Sequence, residues 1–358
     1  MKTLRIALFP VALGLAAAVG IGSLNAAAAT GRVASSSSGW HVGSPLPVTG
    51  SAGGVTAAGP HAEWVFGSSD LATKPGTAWE DTGGGWHQVR FAAAPNEWVS
   101  LATALSPNDA WAFSQKGTSS RAWHWNGRSW SVVRSFPVPV SGAIVLSAND
   151  IWVSGYQAGQ LGTSLTWHFN GHQWSQVAAS GLTASSASSP GNVWAYGGAD
   201  VAKWTGHGWA RTSLAKFLPP VKQGMNDPRI DAIVALSPSS VYALADANGQ
   251  DSSGPWSLLH DNGHSWSRVS KQLAGTSTGL VPDGHGGLWI SVSPGCCGLG
   301  VIDHYAHGTV STVSLPASVD VGQIAAVPDT SQFLAAATER PSANDFANQH
   351  PVVLQYQS

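Results

Sequence analysis

The sequence predicts an all-β protein, a single seven-bladed β-propeller of four-stranded antiparallel blades whose ring is closed by the N-terminal strand. Three observations lead to this prediction. An aromatic strand recurs every 41 to 48 residues, a glycine turn that ends on tryptophan recurs beside it, and the composition suits strands and tight turns. The chain has 42 glycines and 18 tryptophans, and only 10% of its residues are charged, which favours a β-rich protein.

The aromatic strand is the first repeating feature. It follows a short turn in segments such as "SPNDAWAFS", "SANDIWVSG" and "SPGNVWAYG". Its aromatic position is occupied, in chain order, by Trp64, Trp111, Trp152, Trp194, Tyr242, Trp289 and Phe333. Seven copies at this spacing match the repeat length of propeller blades, so seven blades are predicted.

The glycine turn is the second repeating feature. It occurs as "DTGGGW", "WNGRSW", "FNGHQW", "WTGHGW" and "DNGHSW", with a weaker copy, "YAHGTV". The full copies close on Trp86, Trp130, Trp174, Trp209 and Trp266. Asn-Gly and related pairs favour β-hairpins. Each blade is therefore expected to contain an inner strand A, the aromatic strand B, strand C, the glycine turn, and a strand D that begins at tryptophan.

The two ends of the chain indicate how the ring closes. The last segment, "PVVLQYQS", has no strand D after it, and the early segment "GWHVGSPLPVTGS" has no strand before it. The early segment is similar to "SWSVVRSFPVPVSG", which contains a strand D, and Trp40 takes the position of the closing tryptophan. We expect it to complete the last blade, because closure removes exposed sheet edges.

The stretch "WHWNGRSW" shows why the tryptophans and histidines are interpreted as scaffold. Residues seven and five positions before the closing tryptophan share one face of a strand and are expected to pack between blades. The intervening position, which faces the other way, holds four histidines: His124, His168, His260 and His304. These lie on different blades, roughly 10 Å apart, whereas zinc requires nitrogens about 2.0–2.1 Å from one ion. We expect no metal site and no cofactor.

Charge excludes several classes of function. The formal net charge is −2, and nucleic-acid binding requires a basic stripe that neutralises phosphates. The same composition argues against a polybasic membrane-binding surface. We expect a monomer that binds no nucleic acid.

The N-terminus has the pattern of an export signal. Lys2 and Arg5 precede the apolar run "IALFPVALGLAAAVGIG", and "NAAAAT" supplies small residues for cleavage. We therefore expect a signal peptide over 1–29, a flexible linker over 30–38, and a secreted propeller over 39–358 that has no membrane attachment after cleavage. The alternative is an uncleaved N-terminal membrane anchor, because the apolar run approaches spanning length.

The turns "DTGGGW" and "DNGHSW" resemble the Asp-box of sialidase-like propellers, S/T-x-D-x-G-x-x-W. Asp81 and Asp261 take the aspartate position, and the glycine and tryptophan positions also match. The leading Ser/Thr is absent, and the other copies have an aromatic residue where the aspartate stands. The resemblance to Asp-box and kelch-like propellers covers residues 39–358 as architecture. It implies a structural turn and no particular activity.

A ligand is expected on the face formed by the D–A and B–C connections, where propeller loops are longer. Trp98 and Trp256 depart from the repeat and are predicted to lie there, either packed against loops or as stacking platforms. Cys296 and Cys297 are adjacent in a B–C loop. Because cysteines of exported proteins are usually oxidised, we expect them to form a vicinal disulfide. It would act either as a plate against a ligand or as a loop staple.

Acidic and basic residues complete the set of candidates on this face. Asp227, Arg229 and Asp231 occupy the longest D–A connection, as an ion-pair cluster or as ligand contacts. An enzyme would use the carboxylates of Glu97, Asp227 and Asp231. No spacing in the sequence pairs these carboxylates for glycosidase chemistry. No arginine-triad pattern of sialidases is present.

Three functions remain open from the sequence. The first is an exported, non-catalytic recognition module that binds a glycan, a cell-wall polymer or a protein. The second is a secreted propeller enzyme, a lyase or a glycoside hydrolase; the lyase of the virginiamycin B type resembles this chain in architecture alone. The third is a structural or assembly role. The fold cannot choose between them, because propellers host many functions.

Overall fold

The computed structural model describes residues 39–46, 50–68, 74–156, 164–178, 181–220, 227–247, 255–273, 275–293, 300–316, 318–342, 345 and 348–357. The expected signal peptide, 1–29, and linker, 30–38, lie outside these ranges. The described residues form 28 strands and one 3-10 helix, Ala215–Phe217. No helix in this part of the chain has the length and apolar character required to cross a membrane.

The strands form seven four-stranded antiparallel sheets, and this confirms the predicted seven-bladed propeller. Blade 1 contains β2 (Ser51–Gly59), β3 (Ala62–Ser68), β4 (Thr77–Asp81) and β5 (Trp86–Val89). Blade 2 contains β6 (Trp98–Ser106), β7 (Asp109–Lys116), β8 (Ser119–Trp125) and β9 (Trp130–Phe136). Blade 3 contains β10 (Val140–Ser147), β11 (Asp150–Tyr156), β12 (Ser164–Phe169) and β13 (Trp174–Val177). Blade 4 contains β14 (Thr183–Ala187), β15 (Val193–Gly197), β16 (Asp200–Trp204) and β17 (Trp209–Ser213).

The remaining blades follow the same order, except that the last one takes its outer strand from the N-terminal segment. Blade 5 contains β18 (Arg229–Ser237), β19 (Ser240–Asp246), β20 (Trp256–Asp261) and β21 (Trp266–Arg268). Blade 6 contains β22 (Thr276–Pro282), β23 (Leu288–Ser293), β24 (Val301–Ala306) and β25 (Thr309–Val313). Blade 7 contains β26 (Val319–Ala326), β27 (Phe333–Glu339), β28 (His350–Gln357) and β1 (Gly39–Pro45). In blade 7, Trp40 pairs with Tyr356, so the N-terminal strand closes the ring as the sequence predicts.

The core lies between the blades, in seven clusters of buried side chains. The two repeating aromatic features meet there: the tryptophan of strand B in one blade approaches the closing tryptophan of strand D in the next. Three such pairs have ring centroids 5.7–6.4 Å apart: Trp64 with Trp130, Trp194 with Trp266, and Trp289 with Trp40. Burial of these large rings stabilises the contacts between successive blades.

In strands B and C, both faces pack against a neighbouring blade, as the scaffold interpretation of the tryptophans and histidines predicts. Trp123 and Trp125 pack toward blade 1. His124, between them, contacts the ring of Trp111 at 4.6 Å in a tilted arrangement, and Trp111 packs toward blade 3. A blade that lies between two others has no solvent face, so both sets of side chains in strand C are scaffold.

The inner strand of every blade contains a β-bulge near its start. A bulge removes a backbone N–H from the ladder. Several N–H groups near the bulges instead donate hydrogen bonds to hydroxyl groups of the preceding blade. Ser120 Oγ accepts from Val140 N at 2.8 Å, and Ser154 Oγ accepts from Ala184 N at 2.9 Å. These bonds join successive blades close to the channel.

The glycine of the C–D turn is required for two reasons. Gly83, Gly127, Gly171, Gly206 and Gly263 all have φ between 84° and 97°, a region that favours glycine. In addition, a Cβ at Gly127 would lie 2.4 Å from Asn108 Oδ1, because the A–B turn packs on the glycine. At four of the five positions, the repeated glycine lies against the A–B turn of its own blade: Gly83, Gly127, Gly171 and Gly263.

Candidate functional site

The blades present two different faces. The loop face contains the starts of strands A and C, the ends of strands B and D, and the D–A and B–C connections. The turn face contains the short A–B and C–D turns, such as 107–108 and 126–129 in blade 2. The sequence candidates at residues 97, 98, 227, 229, 231 and 256 all belong to the loop face, at or beside strand ends.

Glu97 is a buried structural carboxylate, and not the exposed candidate that the sequence suggested. Its side chain is 0% exposed. The two oxygens accept hydrogen bonds from Ser114 Oγ at 2.5 Å, Ala94 N at 2.8 Å and Arg121 NH1 at 3.2 Å. Buried carboxylates require such partners, and here they hold together the segment before β6 and the adjacent strands. A ligand on the surface cannot reach this group.

Trp256 is also buried, which corrects its interpretation as a stacking platform. Its side chain is 0% exposed and packs with Leu244, Leu258 and Ile290 between blades 5 and 6. Backbone bonds of 2.8 Å in each direction with Leu273 hold its strand. An indole with no accessible ring face cannot stack on a sugar. Trp98, at the start of β6, is partly buried and keeps exposed surface on the loop face.

The charged candidates at the start of β18 form an ion pair. Arg229 Nε donates to Asp231 Oδ1 at 2.5 Å, and the side chains are 27% and 13% exposed. Asp231 is the extra residue of the β-bulge between Ile230 and Ala232. Burial raises the pKa of Asp231 well above its usual range; Arg229 opposes this rise, and the carboxyl group of Asp246 within hydrogen-bonding reach adds to it. Of the two sequence-based interpretations, an ion-pair cluster or ligand contacts, the structure shows the ion pair for Arg229 and Asp231.

Asp227 lies apart from this pair. It is exposed, two residues before β18, and within the described residues no ion pair includes it. Cys296 and Cys297 lie outside the described residues, so the vicinal disulfide stays a prediction. The described part of the chain has no group of three or more His, Cys, Asp or Glu side chains that could hold a metal.

Two tyrosines at the loop-face ends of B strands, Tyr156 and Tyr196, were not selected from the sequence. Tyr156 ends strand B of blade 3 and is 44% exposed, and it is the exposed aromatic residue of the described chain. Burial raises the pKa of its phenol, and the charge of Arg229 partly opposes the rise. Burial together with the charge of Asp231 raises the pKa of Tyr196. A signal was present: Tyr156 interrupts an apolar strand just before the polar segment "QAGQLGT".

The four repeated histidines form separate structural contacts, one in each of four blades. His168 Nε2 and Trp152 Nε1 both bond to Asp150 Oδ1, at 2.8 and 3.0 Å, and the imidazole stacks on the indole at 4.0 Å. Blades 2 and 6 use Asp109 and Asp283 for the equivalent imidazole bond, and blade 5 uses Ser240. These histidines thus support the blade interfaces.

No protein-family model matches this chain, and no curated protein matches it either. Solved structures do resemble it. YCF48 bound to D1 peptide and YCF48 from Cyanidioschyzon merolae both give a TM-score of 0.56 at 14% identity, over 89% of this chain and 97% and 99% of theirs. The Cps50 (Swd1) β-propeller domain from Myceliophteria thermophila gives 0.57 at 10% identity, over 88% of this chain and 99% of that domain. At these identities the comparisons show that the fold is a β-propeller.

Proposed function

We propose that the protein is an exported, non-catalytic recognition module that binds an extracellular glycan, cell-wall polymer or protein on its loop face. The observation that carries the proposal is that Tyr156, 44% exposed at the end of a strand in blade 3, shares the loop face with the Arg229–Asp231 ion pair at the start of a strand in blade 5. An exposed aromatic ring on the same face as a charged pair offers both stacking and hydrogen bonding.

The position of these side chains supports the proposal. Tyr156 stands on the last residue of a strand, and Arg229 on the first residue of another, so rigid sheets hold both. A backbone that is already ordered at both positions does not have to be ordered when a ligand binds, which favours affinity. Trp98, on the same face in blade 2, adds a second partly exposed aromatic ring.

Two further observations bear on the kind of function. Among the propellers of similar fold, one is a complex with a peptide, which supports a protein ligand as one of the options. Of the three carboxylates considered for catalysis, Glu97 is enclosed by its partners and Asp231 is paired with Arg229. Both groups have structural roles, so the recognition function is preferred to the enzyme function.

The test is a binding screen of the full secreted protein against immobilised glycans, cell-wall polymers and peptides at pH 7.5, with the supernatants analysed for released products. Tyr156→Ala and Trp98→Ala are expected to abolish capture. Val133→Ala is the matched control, because Val133 is equally exposed but lies on the outer strand β9. Capture that survives both aromatic substitutions would refute the placement of the binding site on the loop face. Released product would refute the non-catalytic function and favour an enzyme.

A further inference from the structure

Three C–D turns on the turn face repeat an Asn-Gly pair in the same geometry. They lie in blades 2, 3 and 5 and contain Asn126-Gly127, Asn170-Gly171 and Asn262-Gly263. All three asparagines are exposed, and the three glycines have φ between 84° and 89°. The corresponding turn of blade 4 has Thr205 before its glycine and therefore no carboxamide. A fourth Asn-Gly pair, Asn248-Gly249, lies outside the described residues.

The carboxamide oxygen of each of these asparagines accepts two backbone hydrogen bonds from its own turn. Asn126 Oδ1 accepts from Arg128 N and Ser129 N, both at 3.1 Å. The equivalent bonds are 3.1 and 3.0 Å long at Asn170, and both are 3.0 Å long at Asn262. Two N–H groups aimed at one carbonyl oxygen stabilise the oxyanion that forms when a nucleophile attacks the carbonyl carbon.

The nucleophile that such a turn offers is the backbone nitrogen of the following glycine. Glycine has no Cβ to hinder a close approach, and a group held within the same turn reacts as if at a high effective concentration. Within the described residues, the N–H groups of Gly127 and Gly171 donate no hydrogen bond, so no acceptor in this part of the protein holds their protons. Attack of this nitrogen on the asparagine Cγ places the developing negative charge on Oδ1.

Blade 5 differs from the other two at the attacking nitrogen. Gly263 N donates to Asp261 Oδ1 at 3.1 Å. Blades 2 and 3 have Trp125 and Phe169 at this position, and neither side chain has an oxygen that could accept such a bond. The bond to Asp261 holds the proton that must leave, and the carboxylate charge opposes a second negative charge close to it. The glycine nitrogen is therefore free in two blades and restrained in the third.

We propose that Asn126 and Asn170 are sites of spontaneous deamidation in the folded protein, promoted by the two N–H groups on each carboxamide oxygen, and that Asp261 protects Asn262. The glycine nitrogen loses its proton to hydroxide and forms a bond to Cγ. The Cγ–Nδ2 bond then breaks, and ammonia leaves with a proton taken from water. A second water molecule opens the resulting succinimide to aspartate or isoaspartate.

Each such event alters the turn face. A neutral carboxamide becomes a carboxylate, so every converted site makes the formal net charge of −2 more negative by one. The isoaspartate product also adds one atom to the backbone of the turn that connects Trp125 with Trp130 or its equivalent. These sites lie on the turn face, so their conversion does not depend on ligand binding at the loop face.

The test follows conversion in the full protein at pH 8, folded or unfolded in guanidinium chloride, by peptide mapping with mass spectrometry. Asn126 and Asn170 are expected to convert at least about threefold faster in the folded protein, because only the fold aligns the two donors. In the folded protein, Asn262 is expected to convert at least about threefold more slowly than either. In the unfolded chain the three rates should agree within about twofold, since the turn bonds are absent there. Asn108 and Asn149, which are exposed but precede aspartate, are controls and should not convert.

Two substitutions separate the effect of Asp261 from that of the turn itself. Asp261→Ala frees Gly263 N and should raise the rate at Asn262 at least about threefold, while the rate at Asn126 in the same chain stays unchanged. Thr205→Ala, in the turn without a carboxamide, is the matched control and should leave all three rates unchanged. Tryptophan fluorescence checks that each variant is folded.

Slower conversion of Asn126 and Asn170 in the folded protein than in the unfolded chain would overturn the proposal. So would an Asn262 that converts as fast as the other two, or an unchanged rate at Asn262 in a folded Asp261→Ala variant. The ranking of the three sites within the wild-type chain needs no substitution. It therefore tests the proposal even where Asp261→Ala does not fold.

Discussion

The side chain of Gln323 is expected to stabilise the closed ring, in addition to the pairing of strand β1 with blade 7. It lies in the bulge of the inner strand of blade 7, between Val321 and Ile324. Its Oε1 accepts from Val55 N at 3.2 Å and from Ala102 N at 3.0 Å, and its Nε2 donates to Ala102 O at 2.8 Å. One side chain of the last blade thus bonds the inner strands of the first and second blades.

The substitution Gln323→Ala removes three hydrogen bonds and leaves three backbone groups to find other partners. A net contribution of about 0.5–1.5 kcal/mol for each bond gives about 1.5–4.5 kcal/mol in total. Gln323 is partly exposed to the channel, so water can replace some of these bonds. We therefore expect the free energy of unfolding to fall by about 2 kcal/mol.

Urea unfolding followed by tryptophan fluorescence measures this loss. Gln88→Ala, at an exposed position on β5, is the matched control and should change the free energy of unfolding by less than about 0.5 kcal/mol. Gln323→Glu should also lower the free energy of unfolding, because a carboxylate can still accept from the two N–H groups but cannot donate to Ala102 O. If Gln323→Ala were as stable as the wild-type protein, the amide would not contribute to closure and the reasoning would be refuted.

Three further predictions concern the repeated scaffold. Asp150→Ala removes the acceptor shared by Trp152 and His168, so the unfolding free energy should fall by about 1–3 kcal/mol in urea titrations. Gly171→Ala forces a side chain into φ +89° and should lower the thermal midpoint, with a cost of about 1–2 kcal/mol or more. Burial alone would raise the pKa of Asp283, but hydrogen bonds from the His304 imidazole and from backbone N–H groups outweigh it and hold the pKa low. A carboxyl with a lowered pKa stabilises the fold above its unfolded pKa and loses this effect as pH falls, so the stability difference between wild type and Asp283→Asn should shrink between about pH 5 and 3. A constant difference would contradict the assignment.

The repeat was visible in the sequence because each blade uses the same local chemistry. The turn glycines near Gly127 and Gly171 require positive φ, and the aromatic strands require a large apolar residue at one position. Both requirements act within a few residues of the chain, so they recur with the period of the blades. The closing role of the segment around Trp40 followed from the count of strands.

The roles of the loop-face residues were not visible in the same way. Glu97 and Trp256 depart from the repeat in the sequence just as Trp98 does, yet the first two are enclosed and the third keeps exposed surface. Exposure there depends on how connections from neighbouring blades pack over the strand ends. Tyr156 precedes a polar segment in the sequence, but only its 44% exposure on the same face as Arg229 makes it a candidate.

The sequence by itself determined the number of blades, the order of their strands and the closure of the ring, because those follow from local periodicity and from the residues that turns require. The tertiary structure alone decided which polar groups are satisfied inside and which remain available outside. It enclosed Trp256 between blades 5 and 6 and bonded Gln323 to two other blades. These outcomes depend on contacts between residues far apart in the chain, whose distances are set when the seven blades pack into a ring.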